Sequence, residues 1–181
     1  MTVIVEAPAD VAEVELSDQS TDLDLAAGDG DHVKRSAAYH QAGHAVALFL
    51  TGLTYKSIHI DDPAASLHMS GMGRLVVTKK QSGVDIPAHT INLIAAAGPM
   101  AEIHHHRKAF QCSRDIAWTL AARTDCAQSD MHAVTHTEMH VRARHMVKFE
   151  WEAIDAIAQR LYRESSLTYA EVTEICSEYA Y

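Results

Sequence analysis

The chain has 181 residues, with 15 Lys plus Arg, 24 Asp plus Glu and a formal net charge of −9. Nine of the acids (Glu6, Asp10, Glu13, Glu15, Asp18, Asp22, Asp24, Asp29 and Asp31) lie in residues 1–31, which hold no Lys or Arg, so residues 32–181 carry fifteen of each sign. A balanced body with 48% hydrophobic residues has enough apolar side chain to fill a core, which excludes a globally disordered chain; it also offers no basic footprint for nucleic acid or for an anionic membrane surface.

Residues 1–31 set acids among small residues and read as a flexible acidic arm, with Val3, Ile4 and Val5 as a short apolar run. Residues 32–181 then form one folded domain. No basic stretch opens the chain, so no signal peptide is expected, and no apolar run approaches the ~20 residues of a membrane-spanning helix. Cys112, Cys126 and Cys176 form no metal-spaced pair and cannot all be bridged, which suits a reduced, cytoplasmic setting.

A helix is expected from about Lys34 to Thr51, with Ala38, Ala42, Ala45, Leu48 and Phe49 on one side and Gly52 as its stop. Tyr55 to Ile60 and Arg74 to Thr78 read as short strands of a small sheet. A second helix starts after Asp85 with Pro87 in its first turn, and Pro99 should kink or divide it. All eight glycines and all four prolines lie at or before Pro99, so the remainder should be almost wholly helical, with helices near 113–123, 130–149 and 150–163. A last helix begins where Thr168 and Glu171 form a capping box. The fold class is therefore α+β, predominantly α-helical, with a small β-sheet and a helical C-terminal half.

Thirteen histidines include three pairs spaced by four: His40 with His44, His132 with His136, and His136 with His140. Spacing alone does not choose among them. The first pair lies in Ala38-Tyr39-His40-Gln41-Ala42-Gly43-His44-Ala45-Val46-Ala47, where two imidazoles one turn apart can chelate one cation and small neighbours admit a closely packed element. Gly43 costs about 1 kcal/mol of helix propensity relative to Ala, which points to a tight backbone approach at that turn. His104, His105 and His106 point in three directions around a helix and cannot chelate one ion together.

The His40–Ala47 segment resembles the H-E-A-G-H helix of FtsH-type zinc metalloproteases. Downstream, Ala97-Gly98-Pro99-Met100-Ala101-Glu102 is similar to that family's Gly-Gly-Arg-Ala-Ala-Glu segment, Ser129-Asp130-Met131-His132-Ala133-Val134 to its N-D-L-x-x-A helix start, and Leu161 to Ile175 to its closing L-T-x-x-E helix. The resemblance covers roughly residues 34–178 and implies a zincin-like peptidase domain binding Zn2+. His40 and His44 would be ligands and Asp130 the third, leaving the fourth position for water; Asp130 read on its own also suits a plain helix cap. Glu102 would orient a ligand or join a helix-packing network, or be a rival acidic ligand.

The chain departs from the family at Gln41, where the resemblance places the catalytic glutamate. A neutral amide can hydrogen-bond a water but cannot take its proton, and loss of a general base costs ~10²–10⁴ in rate. Two readings stay open: an inactivated, substrate-trapping form of an active zinc endopeptidase, or a native zinc-binding pseudoprotease acting as a peptide-binding or scaffold protein. No G-x-x-x-x-G-K-[ST] loop is present to cradle nucleotide phosphates, so the expectation is a stand-alone, ATP-independent enzyme for short or unfolded substrates, such as precursor peptides in maturation. Peptide would add as a strand near Ile58, His59 and Ile60 or near Arg74, Leu75 and Val76, and Tyr39 or a later histidine would face the oxyanion. The family resemblance also implies a homo-oligomer.

Overall fold

The computed structural model describes residues 30–60, 73–76, 86–123 and 138–179. Six helices and three short strands follow in the order α1 (Gly30–Leu50), β1 (Ser57–Ile60), β2 (Gly73–Val76), α2 (Ala88–Phe110), α3 (Arg114–Arg123), α4 (Met139–Phe149), α5 (Trp151–Glu164), β3 (Ser166–Thr168) and α6 (Tyr169–Tyr179). The described part is predominantly helical with a small antiparallel sheet, as the breaker distribution implies.

Helix α1 is the centre of the packing. It lies against α2 and α5 and also meets the sheet and α6, so its alanines are buried on more than one side. Its seam with α2 is close because the facing residues are small: a Cβ on Gly43 would stand 2.5 Å from the Ala97 carbonyl oxygen and 2.7 Å from Ala101 Cβ. This is the tight approach that Gly43 signals in the sequence. The C-terminal stop is a Schellman turn at Gly52 (φ +70°), with Leu53 N–H on Leu48 O and Gly52 N–H on Phe49 O, both at 3.0 Å.

Helix α5 contributes the clearest apolar stripe. Ala153, Ile154, Ile157, Ala158 and Leu161 repeat with helical spacing and are all buried, while the opposite side carries Gln159, Arg160 and Arg163. Burial of a side chain such as Ile154, Ile157 or Leu161 is worth about 1.5–3 kcal/mol. Helix α5 then ends at Ser165 in the left-handed region (φ 61°), and the chain turns directly into β3.

The sheet has the order β2-β1-β3. Antiparallel registers pair Ser57 with Val76 and Ile60 with Gly73 on one side of β1, and Ser57 with Thr168 and His59 with Ser166 on the other. Side chains of Ile58 and Ile60 point into the core and those of Ser57 and His59 lie partly exposed, the alternation expected of a half-buried strand.

Several sequence expectations are corrected. Helix α1 begins at Gly30 rather than Lys34, and Asp31 binds Arg35 at 2.9 Å and accepts the Tyr162 hydroxyl. Helix α2 runs as one element through Pro99 instead of being divided there. The first strand starts at Ser57, not Tyr55, and β3 was not expected at all. Residues 1–29, Thr78 and the 130–137 part of the expected 130–149 helix lie outside the described residues.

Candidate metal centre

His40 and His44 stand one turn apart on α1, at 1% and 6% exposure, where α2 crosses. His40 Nδ1 donates to Glu102 Oε2 at 3.0 Å, and His44 Nδ1 donates to the main-chain oxygen of Ile94 at 2.8 Å. A carbonyl oxygen and an ionised carboxylate only accept, so both Nδ1 atoms carry the proton. The two Nε2 atoms then face each other at 3.0 Å, a separation that one shared proton holds in the metal-free pair and that both lone pairs offer to a cation once that proton leaves. Two zinc-ligating imidazole nitrogens, each about 2.0–2.1 Å from the ion, stand roughly 3.3 Å apart at a tetrahedral angle. The pair is thus preset close to a chelating separation, with each ring fixed from its far edge in the manner usual for metal-binding histidines.

Gly98 makes this arrangement possible. A Cβ there would lie 2.6 Å from His44 Cε1 and 2.8 Å from His40 Nε2, with His44 Nε2 nearer still. Only glycine leaves room for both rings.

Glu102 is fully buried, and its place on His40 bears on the roles open to it in the sequence. It contacts the Nδ1 edge, across the ring from Nε2, so it orients His40 and does not share an ion with the Nε2 pair. Its other oxygen accepts the Ser36 hydroxyl. Burial alone would raise its pKa, but His106 at 3.6 Å, hydrogen bonds from His40 and Ser36 and the attraction of His40 hold it well below the usual carboxylate range, to about 2.

Gln41 is 4% exposed, and its Oε1 has no hydrogen-bond partner among the described residues. An unmatched buried acceptor costs about 1–3 kcal/mol, and water or an ion commonly completes such a group. The donor set that fits a cation is the facing pair of imidazole nitrogens, a ligand type that zinc accepts. Asp130, the third ligand implied by the family resemblance, lies outside the described residues, as do His132 and His136. Among the described residues no three His, Cys, Asp or Glu side chains gather to hold a metal.

The peptide-binding expectation narrows. Strand β1 is central, with ladder partners on both edges, so Ile58, His59 and Ile60 offer no free edge to an added strand. Arg74, Leu75 and Val76 lie on β2, whose outer edge has no strand partner among the described residues. Tyr39 is also committed elsewhere: its hydroxyl donates to Asp155 at 2.5 Å and its ring stacks on His105 and Trp151. Surface cavities of about 450 and 260 Å³ flank Trp151 and include none of the metal-centre residues.

Ser36 and His106 belong to this centre; Ser36 was not singled out in the sequence, and His106 only as one of three adjacent histidines that cannot chelate one ion together. The available signal was spacing, since Ser36 precedes His40 by four residues and His106 follows Glu102 by four. Among the described residues no helix is long and apolar enough to cross a membrane. The chain matches no protein-family model and no curated protein.

Proposed function

We propose that this chain is a zinc metallopeptidase domain of the zincin kind, in which His40 and His44, with Asp130, hold Zn2+ and Gln41 occupies the general-base position. The observation that carries the reading is the preset pair of Nε2 atoms, each ring pinned through Nδ1 by an acceptor-only group. Zinc, when bound, supplies Lewis-acid polarisation of a peptide carbonyl and a source of hydroxide at neutral pH. The chain's own residues supply orientation: Glu102 and the Ile94 carbonyl fix the two rings, and Gln41 can donate or accept a hydrogen bond but cannot take a proton. Substrate would extend along the outer edge of β2, as a short or unfolded segment able to form a strand.

With Gln41 in place the domain binds substrate and turns over little or nothing. The second reading, a native zinc-binding scaffold, shares the metal site and differs only in whether the rest of the machinery awaits a carboxylate. Metal analysis of the purified chain should give one zinc, lost in His40→Ala with the helical signal retained. Gln41→Glu should then raise cleavage of unstructured peptides by ~10²-fold or more. Bound zinc without that gain assigns the scaffold role, and absence of zinc from the parent chain overturns the metal reading.

A further inference from the structure

We propose that Ser36 and His106 are positioning residues for the divalent cation at His40 and His44, acting through Glu102; the inference rests on the metal reading of that pair. Two residues from each helix, spaced by four, form one buried polar seam: Ser36 and His40 on α1, Glu102 and His106 on α2. Ser36, Glu102 and His106 are each 0% exposed. The Ser36 hydroxyl donates to Glu102 Oε1, and His106 Nε2 lies 3.2 Å from Ser36 Oγ and 3.6 Å from that same carboxylate oxygen.

The proton directions follow from this geometry. With its proton directed to the carboxylate, Ser36 Oγ accepts, so His106 Nε2 is the N–H donor and His106 Nδ1 is the lone-pair atom. That Nδ1 has no partner among the described residues, which leaves an unmatched acceptor and not a buried, unpaired N–H. The ring is held by His32 at 5.3 Å and Phe110 at 5.8 Å between centroids. Hydrogen bonding therefore runs from His106 to Ser36 to Glu102 Oε1, while Glu102 Oε2 accepts from His40 Nδ1. Both carboxylate oxygens are fixed, and with them the plane of His40 and the aim of its Nε2.

Stability alone gives little reason for this seam. Replacing a buried ionic cluster by apolar side chains of similar volume is often neutral or favourable. Its evident product is an imidazole locked in one tautomer and one orientation before any metal arrives.

The test is a competition titration of the full chain with Zn2+ alone against a chromogenic chelator at fixed pH, together with the NMR signal of the His40 Nδ1 proton in metal-free protein. Ser36→Ala should weaken zinc binding roughly tenfold and move that resonance, besides lowering the melting temperature as the loss of any buried hydrogen bond does. His106→Leu reads the same path should Ser36→Ala fold poorly, and His106→Gln, which keeps an N–H donor, should recover most of the affinity. A purely structural role would lower the melting temperature and leave both readouts in place. Unchanged affinity and an unmoved resonance in Ser36→Ala and His106→Leu overturn the positioning role while the metal reading stands; a parent chain that binds no zinc overturns both.

Discussion

Gly43 and Gly98 are both helix-interior glycines beside an alanine, and each should gain about 1 kcal/mol of helix propensity on replacement by Ala. Their surroundings reverse that gain in different ways. At Gly43 the new methyl meets the Ala97 main chain and Ala101 Cβ, which move only if α1 and α2 separate. Gly43→Ala should therefore lose up to about 2 kcal/mol net in denaturant unfolding, the usual cost of overpacking less the propensity gain. At Gly98 the methyl meets two buried imidazoles, which yield only by giving up their bonds to Glu102 and the Ile94 carbonyl. Gly98→Ala should therefore lose stability as well and more than tenfold in zinc affinity. Intact zinc binding in Gly98→Ala would contradict this. Gly43 was readable as a close approach because a glycine between two histidines has no local use; the partner of Gly98 was not, since it comes from a helix fifty residues earlier.

At the scale of elements, the capping box before α6 was legible because both of its residues and their spacing are local. Thr168 N–H and Oγ1 reach Glu171 Oε2 at 2.8 and 2.7 Å, and Glu171 N–H returns to Thr168 Oγ1 at 3.4 Å. Thr168→Ala should cost about 1 kcal/mol, measured by chemical unfolding, with no effect on zinc affinity because α6 carries no metal-centre residue. A neutral result would mean that Tyr169, whose N–H bonds the Lys56 carbonyl at 3.4 Å, holds the start of α6 by itself. At Pro99 the sequence offered a kink or a division, and α2 is not divided. Proline inside a helix costs ~3 kcal/mol and argues for a break, yet α2 continues because Ala96, Ala97, Met100, Ala101 and Ile103 are buried around it. Strand β3 escaped notice because three residues between two helices carry no period; only pairing with β1 makes them a strand.

For the whole molecule, the helical mass of the described C-terminal residues could be read from the missing glycines and prolines, whereas the sheet order and the Ser36–His106 seam depend on contacts distant in sequence. The same contacts set the response to acid. Burial lowers the pKa of His104 to about 4, assisted by Lys108 and Arg107; burial lowers that of His105 to about 4, assisted by His106 and His32. An unfolded histidine takes its proton near pH 6.5, so between about 6.5 and 4 the unfolded chain binds more protons than the native one. Native stability from these two groups is complete above that window and is lost as pH falls through it. Glu102 has the opposite charge type but acts in the same direction lower down: its stabilising contribution is complete above about 4.5 and is lost as pH falls toward 2. Chemical unfolding in excess chelator should thus show stability declining in two stages below pH 6.5, the second beginning below 4.5. Replacing both His104 and His105 by glutamine should flatten the first stage and leave the second, whereas an unchanged slope between pH 6.5 and 4.5 would exclude these histidines as its source.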